Sequence, residues 1–241
     1  MADIDRAKWA VRERVWALLE QSGAAEAGGR GYIPAFSGAD EAAERLTTLP
    51  AWQRGQVVKA VPDRAQLPVR VRALKAGKIV YMAVPKLAET PPFYLLDPHN
   101  LPVPAEEVAD RVVAARIARR VDVDEMRPVD LVVCGSVAVN RAGVRLGKGA
   151  GYSDIEIALL AEAGLLSSQT IIVTTVDELQ VLDEDLPEDE HDFRADFIVT
   201  PERVIECGSP KRPTGLSWER LSPEKIAAIP LLAKRASCRD G

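Results

Sequence analysis

Arg145-Leu146-Gly147-Lys148-Gly149-Ala150-Gly151-Tyr152-Ser153-Asp154 joins two segments of opposite character. Before it runs Leu131-Val132-Val133-Cys134-Gly135-Ser136-Val137-Ala138-Val139, whose near-continuous apolarity predicts a fully buried strand. After it, Ile155-Glu156-Ile157-Ala158-Leu159-Leu160 predicts a helix continuing to Gly164. The quoted segment is therefore a strand-to-helix loop, and in parallel α/β sheets such loops lie at the carboxyl ends of the strands, where ligands bind. Gly147, Gly149 and Gly151 permit positive φ and close approach of backbone to a ligand, and a helix N-terminus adds unpaired N–H groups with partial positive charge. The expected guest is an anion. Arg145 and Lys148 contribute full charges, Tyr152 a flat surface with a hydroxyl, and Asp154 a hard oxygen ligand for a divalent metal.

Generic phosphate motifs do not describe this loop. A Walker A loop places four residues between its first glycine and the Gly-Lys pair and a hydroxyl after the lysine. Gly143 to Gly149 has one residue too few and a glycine in the hydroxyl position. The dinucleotide fingerprint G-x-G-x-x-G fails as well, because Gly147, Gly149 and Gly151 alternate.

Outward from the loop, strand and helix patterns alternate. Residues 5–22 predict a helix with Val11, Val15 and Leu18 on one stripe, stopped by Gly23. Residues 28–38 form a glycine-containing loop with Tyr32, Pro34 and Phe36 as anchors, and residues 40–46 a short helix. Strand 56–61, helix 67–76 ending at Gly77, and strand 78–84 make a crossover unit. The proline-rich stretch 89–104 is expected to be irregular, followed by one helix from Pro104 to Arg120. Further buried strands are expected at 170–176 and 197–200, and Ser222-Pro223 opens a last helix. The alternation implies a three-layer α/β/α fold, Rossmann-like, with a mainly parallel sheet. One domain over residues 1–241 is expected, with an irregular C-terminal extension from about residue 207.

Composition narrows the function classes. With 47% hydrophobic and 28% charged residues the chain has enough apolar material for a core, and its net charge of -5 argues against nucleic acid or an anionic membrane as partner. Any anion must be held locally. Cys134, Cys207 and Cys238 lack metal-site spacing and point to a reducing compartment. No run is long enough to span a bilayer and the first residues lack signal-peptide character, so a cytoplasmic location is expected. His99 and His191 are too few for a multi-histidine metal site. The acidic run from Asp183 reads as a solvated loop as far as Asp189, whereas Asp192 stands just before the 197–200 strand. Oligomeric state is not encoded in any of these patterns.

The loop and its preceding strand resemble the signature of the 5-formyltetrahydrofolate cyclo-ligase family, also called methenyltetrahydrofolate synthetases. That signature is a hydrophobic strand followed by Gly-x-Arg-Leu-Gly-(Arg or Lys)-Gly-x-Gly-Tyr-Tyr-Asp. The chain carries Gly143-Val144-Arg145-Leu146-Gly147-Lys148-Gly149-Ala150-Gly151-Tyr152-Ser153-Asp154, departing at Ser153. The context Gly-Tyr-Ser-Asp-Ile-Glu and the later His191-Asp192 are more similar to the divergent, methenyltetrahydrofolate synthetase domain-containing branch.

The resemblance implies a set of roles. ATP phosphates would be held by Lys8 and Arg12, which match a Lys-x-x-x-Arg near the family's N-terminus, and by Arg145, Gly147, Lys148, Gly149, Gly151 and Tyr152. Spacing alone leaves Lys8 and Arg12 as a solvated pair. Arg145, Lys148 and Tyr152 would be catalytic. Tyr152 and Ser153 would border the folate substrate, together with Asp63 in the position of the family's glutamate, a residue equally suited to a Pro-Asp turn. Asp154 and Asp192 would bind Mg²⁺. The implied reaction is Mg²⁺- and ATP-dependent cyclisation of 5-formyltetrahydrofolate to 5,10-methenyltetrahydrofolate. Two alternatives stay open: action on another formylated or pterin-like compound, as Ser153 permits, and a non-catalytic nucleotide- or RNA-associated binding protein that keeps the fold.

Overall fold

The computed structural model describes residues 3–208, 210–237 and 239. Ser209 and Cys238 lie outside the described residues. The strands are β1 Val57–Ala60, β2 Ile79–Ala83, β3 Phe93–Leu96, β4 Arg119–Val121, β5 Leu131–Cys134, β6 Ala138–Asn140, β7 Arg145–Leu146, β8 Ile171–Thr175, β9 Val181–Leu182, β10 Phe197–Val199 and β11 Val204–Glu206. The helices are α1 Asp3–Ser22, α2 Ala39–Leu46, α3 Pro50–Arg54, α4 Leu67–Lys75, α5 Ala105–Val108, α6 Arg111–Ile117, α7 Tyr152–Glu162, α8 Pro223–Ala228 and α9 Pro230–Ser237.

Eight strands form one sheet in the order β11-β10-β8-β5-β1-β2-β3-β4. Its centre, β10 through β2, is parallel, and antiparallel neighbours are confined to the two ends. Central strands buried on both faces need apolar side chains in both directions, which is why Leu131, Val132 and Val133 are all fully buried. One face packs Leu46, Val69, Ala73 and Leu74 from α2 and α4; the other packs Ile157, Leu159 and Leu160 from α7 with Ile229 and Leu232 from the C-terminal segment. This is the expected mainly parallel α/β architecture. A second, three-stranded sheet, β7-β6-β9, lies at its edge of the glycine loop and packs with α1.

Several boundaries differ from the sequence expectation. The run 131–139 is two strands in different sheets. A Cβ at Gly135 would stand 2.8 Å from Ile33 Cγ2 and 3.1 Å from Gln66 Oε1, so side-chain-bearing chain cannot pass there; after this glycine the backbone leaves the main sheet and Val137 and Ala138 enter a separate cluster. The quoted loop is thus entered from the β6–β7 hairpin. The helix expected over 104–120 breaks where the Asp110 side chain accepts from the Val112 and Val113 amides, capping α6 afresh, and its arginine-rich end is the edge strand β4. The proline-rich stretch contains β3, antiparallel to β2. In α1 the buried stripe is Arg12, Val15, Trp16 and Leu19, with Leu18 exposed, and Ile33 rather than Tyr32 anchors the following loop.

Candidate functional site

The site forms where four distant pieces of chain meet at the carboxyl ends of the central strands. Gly149 and Gly151 adopt φ of 94° and 70°, a region costly for other residues, and Gly151 is the left-handed cap from which α7 begins. Among the described residues, none of the N–H groups of Lys148, Gly149, Ala150 and Gly151 donates to a protein acceptor. Successive free amides at a helix N-terminus are an anion-binding concavity.

Arg145 is held beneath the loop. It is buried, donates to the Gly135 carbonyl at 3.1 Å and the Ser136 hydroxyl at 3.3 Å, and its guanidinium lies 4.5 Å from the centre of the Phe193 ring. A side chain at Gly147 would meet Arg145 Nη2 at 2.8 Å, so glycine here lets the loop pass over the guanidinium without displacing it. From α1, Arg12 donates through Nε to the Gly147 carbonyl at 2.6 Å and lies beside Gly149. Burial, and then the nearby positive charge of Arg145, pull the Arg12 guanidinium below the usual arginine range, with Asp192 and Asp154 opposing. Two guanidiniums so placed favour an anion between them.

Lys8, Lys148 and Arg145 each face an acid. Lys8 pairs with Asp192, which also accepts from the Asp189 amide at 2.7 Å. Lys148 Nζ lies 3.1 Å from Asp63 Oδ1. Arg145 Nη1 lies 3.7 Å from Asp154 Oδ1. The Asp154 carboxyl is pushed above the ordinary carboxylate range by burial, with Arg145 pulling it down, Asp192 adding to the rise and Lys8 opposing. Its side chain still shows 37% of its surface, so an ion can reach it from solvent. Two neighbouring carboxylates, one of them open to solvent, have room in their electrostatics for an added cation, and hard oxygen donors suit magnesium. Asp154 and Asp192 therefore fit the group that their family pattern implies. A neighbouring triplet, Asp189, Glu190 and His191, has ligand atoms within 4.8 Å of one another, and Asp189 is paired with Arg220 as Asp192 is with Lys8.

Lys8 with Asp192, Arg12 with Gly147 and Gly149, Lys148 with Asp63, and Arg145 with Asp154 are thus linked by contact, Asp154 lies in the field of Asp192 and Lys8, and Gly151 and Tyr152 follow in the same loop. Ser153, on the first turn of α7, is half-buried and makes no side-chain hydrogen bond among the described residues. His191 does not orient Asp192; its Nε2 lies 3.0 Å from Glu190 and 3.3 Å from Ser217. Glu188 and Asp189, expected to be solvated, are paired with Arg194 and Arg220. Two further residues support the site. Buried Arg70 donates to the carbonyls of Val61 at 2.6 Å and Asp63 at 3.0 Å, pinning the turn that carries Asp63, and burial lowers its pKa to about 10. Lys225, from α8, donates to the Ala150 carbonyl at 2.6 Å and stands 3.5 Å from the centre of the Tyr152 ring.

Comparison with known proteins places the chain in a family. The model of the 5-formyltetrahydrofolate cyclo-ligase family matches residues 4–201. A methenyltetrahydrofolate synthase domain-containing protein of Danio rerio is 37% identical over 239 residues, covering 94% of this chain and 61% of that protein. The Homo sapiens protein of the same description is 35% identical over 232 residues, covering 92% and 59%. The chain therefore spans about three fifths of the length of these relatives. A solved 5,10-methenyltetrahydrofolate synthetase from Aquifex aeolicus shares the fold, with a TM-score of 0.54 at 20% identity over 85% of this chain and 94% of that one.

Proposed function

The chain belongs to the 5-formyltetrahydrofolate cyclo-ligase family, and from that premise we propose that it couples ATP cleavage to closure of 5-formyltetrahydrofolate into 5,10-methenyltetrahydrofolate, releasing ADP and phosphate. The observation that carries the proposal is the meeting of Lys8, Arg12, Arg145 and Lys148 around a run of unpartnered glycine-loop amides. This arrangement suits a polyphosphate. It contains no nucleophile poised for covalent catalysis, and phosphoryl transfer needs none, because positioning and charge neutralisation supply most of the acceleration.

In the proposed reaction the formyl oxygen attacks the terminal phosphorus and ADP leaves. The neighbouring nitrogen then attacks the formyl carbon, loses its proton, and phosphate departs with the former formyl oxygen. Lys8 and Lys148 would exchange their carboxylate partners for phosphate oxygens. Arg145, fixed from below by Gly135 and Ser136, would remain in place as charge accumulates. Each charge-assisted contact is worth about 1.5–3 kcal/mol. Asp154 and Asp192 are the residues that would hold Mg²⁺, which would supply positive charge to offset that of the polyphosphate. Asp63, freed from Lys148, would face the substrate, with Tyr152 and Ser153 bordering it. Among the described residues no helix is long and apolar enough to cross a membrane.

The deciding experiment is to mix the chain with Mg-ATP and 5-formyltetrahydrofolate and follow the methenyl chromophore. Chromophore formation strictly dependent on ATP is expected. A folded protein that binds Mg-ATP yet forms no chromophore would overturn cyclisation of this folate, and ATP cleavage stimulated by a different formylated or pterin-like compound would identify the substrate instead.

A further inference from the structure

The family match ends at residue 201, yet a residue well beyond it reaches the centre of the site. The Lys225 amide is capped by the Ser222 hydroxyl at 3.1 Å, and its side chain runs from α8 to the glycine loop. The segment that carries it is firmly seated. Ile229, Leu231 and Leu232 are buried against Ile155, Leu159 and Leu160 of α7. Glu162 at the end of α7 accepts from the Leu216 amide at 2.8 Å and from Arg235 at 2.7 Å. Arg220 pairs with Asp189, three residues before Asp192. The ammonium group is therefore delivered by a packed scaffold.

What Lys225 touches gives it a specific task. The Ala150–Gly151 peptide turns on ψ of Ala150 and φ of Gly151, and Gly151 stands at a φ of 70°. A glycine on the C-terminal side lets φ change sign, so the plane can rotate at little steric cost unless something holds it. A trans peptide points its C=O and N–H in opposite directions, so holding the Ala150 carbonyl toward Lys225 fixes the Gly151 N–H on the other side. The same ammonium over the Tyr152 ring adds a cation–π contact that fixes the first side chain of α7.

We infer that Lys225 is a positioning residue of the anion site: it locks the Ala150–Gly151 peptide and Tyr152 in the orientation that a bound polyphosphate requires. The ligand class rests on the proposed nucleotide function, but the locking itself applies to any polyphosphate. The C-terminal segment thus completes a site whose other residues all lie within the family match.

The test is calorimetric binding of Mg-ATP, and separately of Mg-tripolyphosphate, to wild type, Lys225→Met and Lys225→Arg, with unfolding midpoints and the KM for 5-formyltetrahydrofolate measured alongside. Lys225→Met is expected to weaken polyphosphate binding roughly tenfold or more, equivalent to the loss of one charge-assisted hydrogen bond. Lys225→Arg, which keeps a donor and a charge, should recover most of that loss, with the folate KM and unfolding midpoint nearly constant. Unchanged binding by Lys225→Met overturns the inference. So does a loss in Lys225→Met that Lys225→Arg fails to recover and that comes with a lowered midpoint, the signature of mere packing. Wild type that binds tripolyphosphate but not Mg-ATP would refute the nucleotide reading while the Lys225 comparison still stands on tripolyphosphate; wild type that binds neither refutes both.

Discussion

Lys148 and Asp63, 85 residues apart in the chain, are joined by a contact of 3.1 Å between the glycine loop and the turn after β1. The lysine is a third exposed and the acid only 15%, so the cation is the partner free to turn toward a ligand. Lys148→Ala is expected to weaken Mg-ATP binding about tenfold to a hundredfold, the loss of one charged phosphate contact. Asp63→Asn should leave nucleotide binding equal or tighter, because the lysine no longer has a competing carboxylate, while raising the KM for the folate. Calorimetry and initial rates on both variants check this. Tighter folate binding in Asp63→Asn would remove Asp63 from the substrate side.

Beneath the site, Lys59 on β1 pairs with Glu156 on α7, both essentially removed from solvent. Taking away one partner leaves an uncompensated buried charge, which costs about 3–5 kcal/mol, whereas replacing both with apolar side chains of similar size is often neutral. Urea unfolding should therefore show Lys59→Met and Glu156→Leu each strongly destabilised and the double variant restored to near wild type. Additive losses in the double variant would mean that the two residues act independently and that their pairing carries no coupling energy.

Cys207, buried beside β10, has its thiol pushed up to about 11 by burial, with Asp196 and Glu206 adding. The neutral thiol is the form the native state keeps, so its contribution to stability is whole below the ordinary thiol value of 9.0 and is lost as pH rises through about 11. Iodoacetamide at pH 8 should leave the Cys207 peptide unmodified until denaturant is added, read by mass spectrometry. Across pH 9 to 11, Cys207→Ala should lose stability less steeply than wild type. Prompt native-state labelling would show that the site opens.

The parallel centre of the sheet and the glycine loop could be read from sequence because each is encoded locally: Leu131-Val132-Val133 is buried on both faces, and Gly149 and Gly151 mark positive φ. The edges could not. Arg119-Arg120-Val121 is a strand whose polar residues suit a sheet margin, and Phe93–Leu96 is hidden among prolines. Lys59 and Glu156 each interrupt an apolar run, a signal that a buried pair was present, but nothing in one chain's pattern says that they meet. Lys8 and Arg12 owe their place to the packing of α1 against the small sheet, which spacing alone does not reveal. Lys225 carries no motif; Ser222-Pro223 announces a helix without saying what its lysine faces.

Asp154 brings site and stability into opposition. As an acid in the first turn of α7 it gains from the helix dipole, typically about 0.3–1 kcal/mol. Yet its carboxyl is raised by burial and by Asp192, so the ionised form is held at a cost to the empty protein. Asp154→Asn removes both effects and should leave the unfolding midpoint unchanged or higher. The same change deletes a hard oxygen ligand, so the Mg²⁺ concentration needed for half-maximal nucleotide binding should rise roughly tenfold or more. Nucleotide binding titrated against Mg²⁺, with thermal unfolding in the absence of metal, separates the two quantities. A variant that is less stable but binds magnesium normally would make Asp154 a structural partner of Arg145 and leave the metal to other ligands.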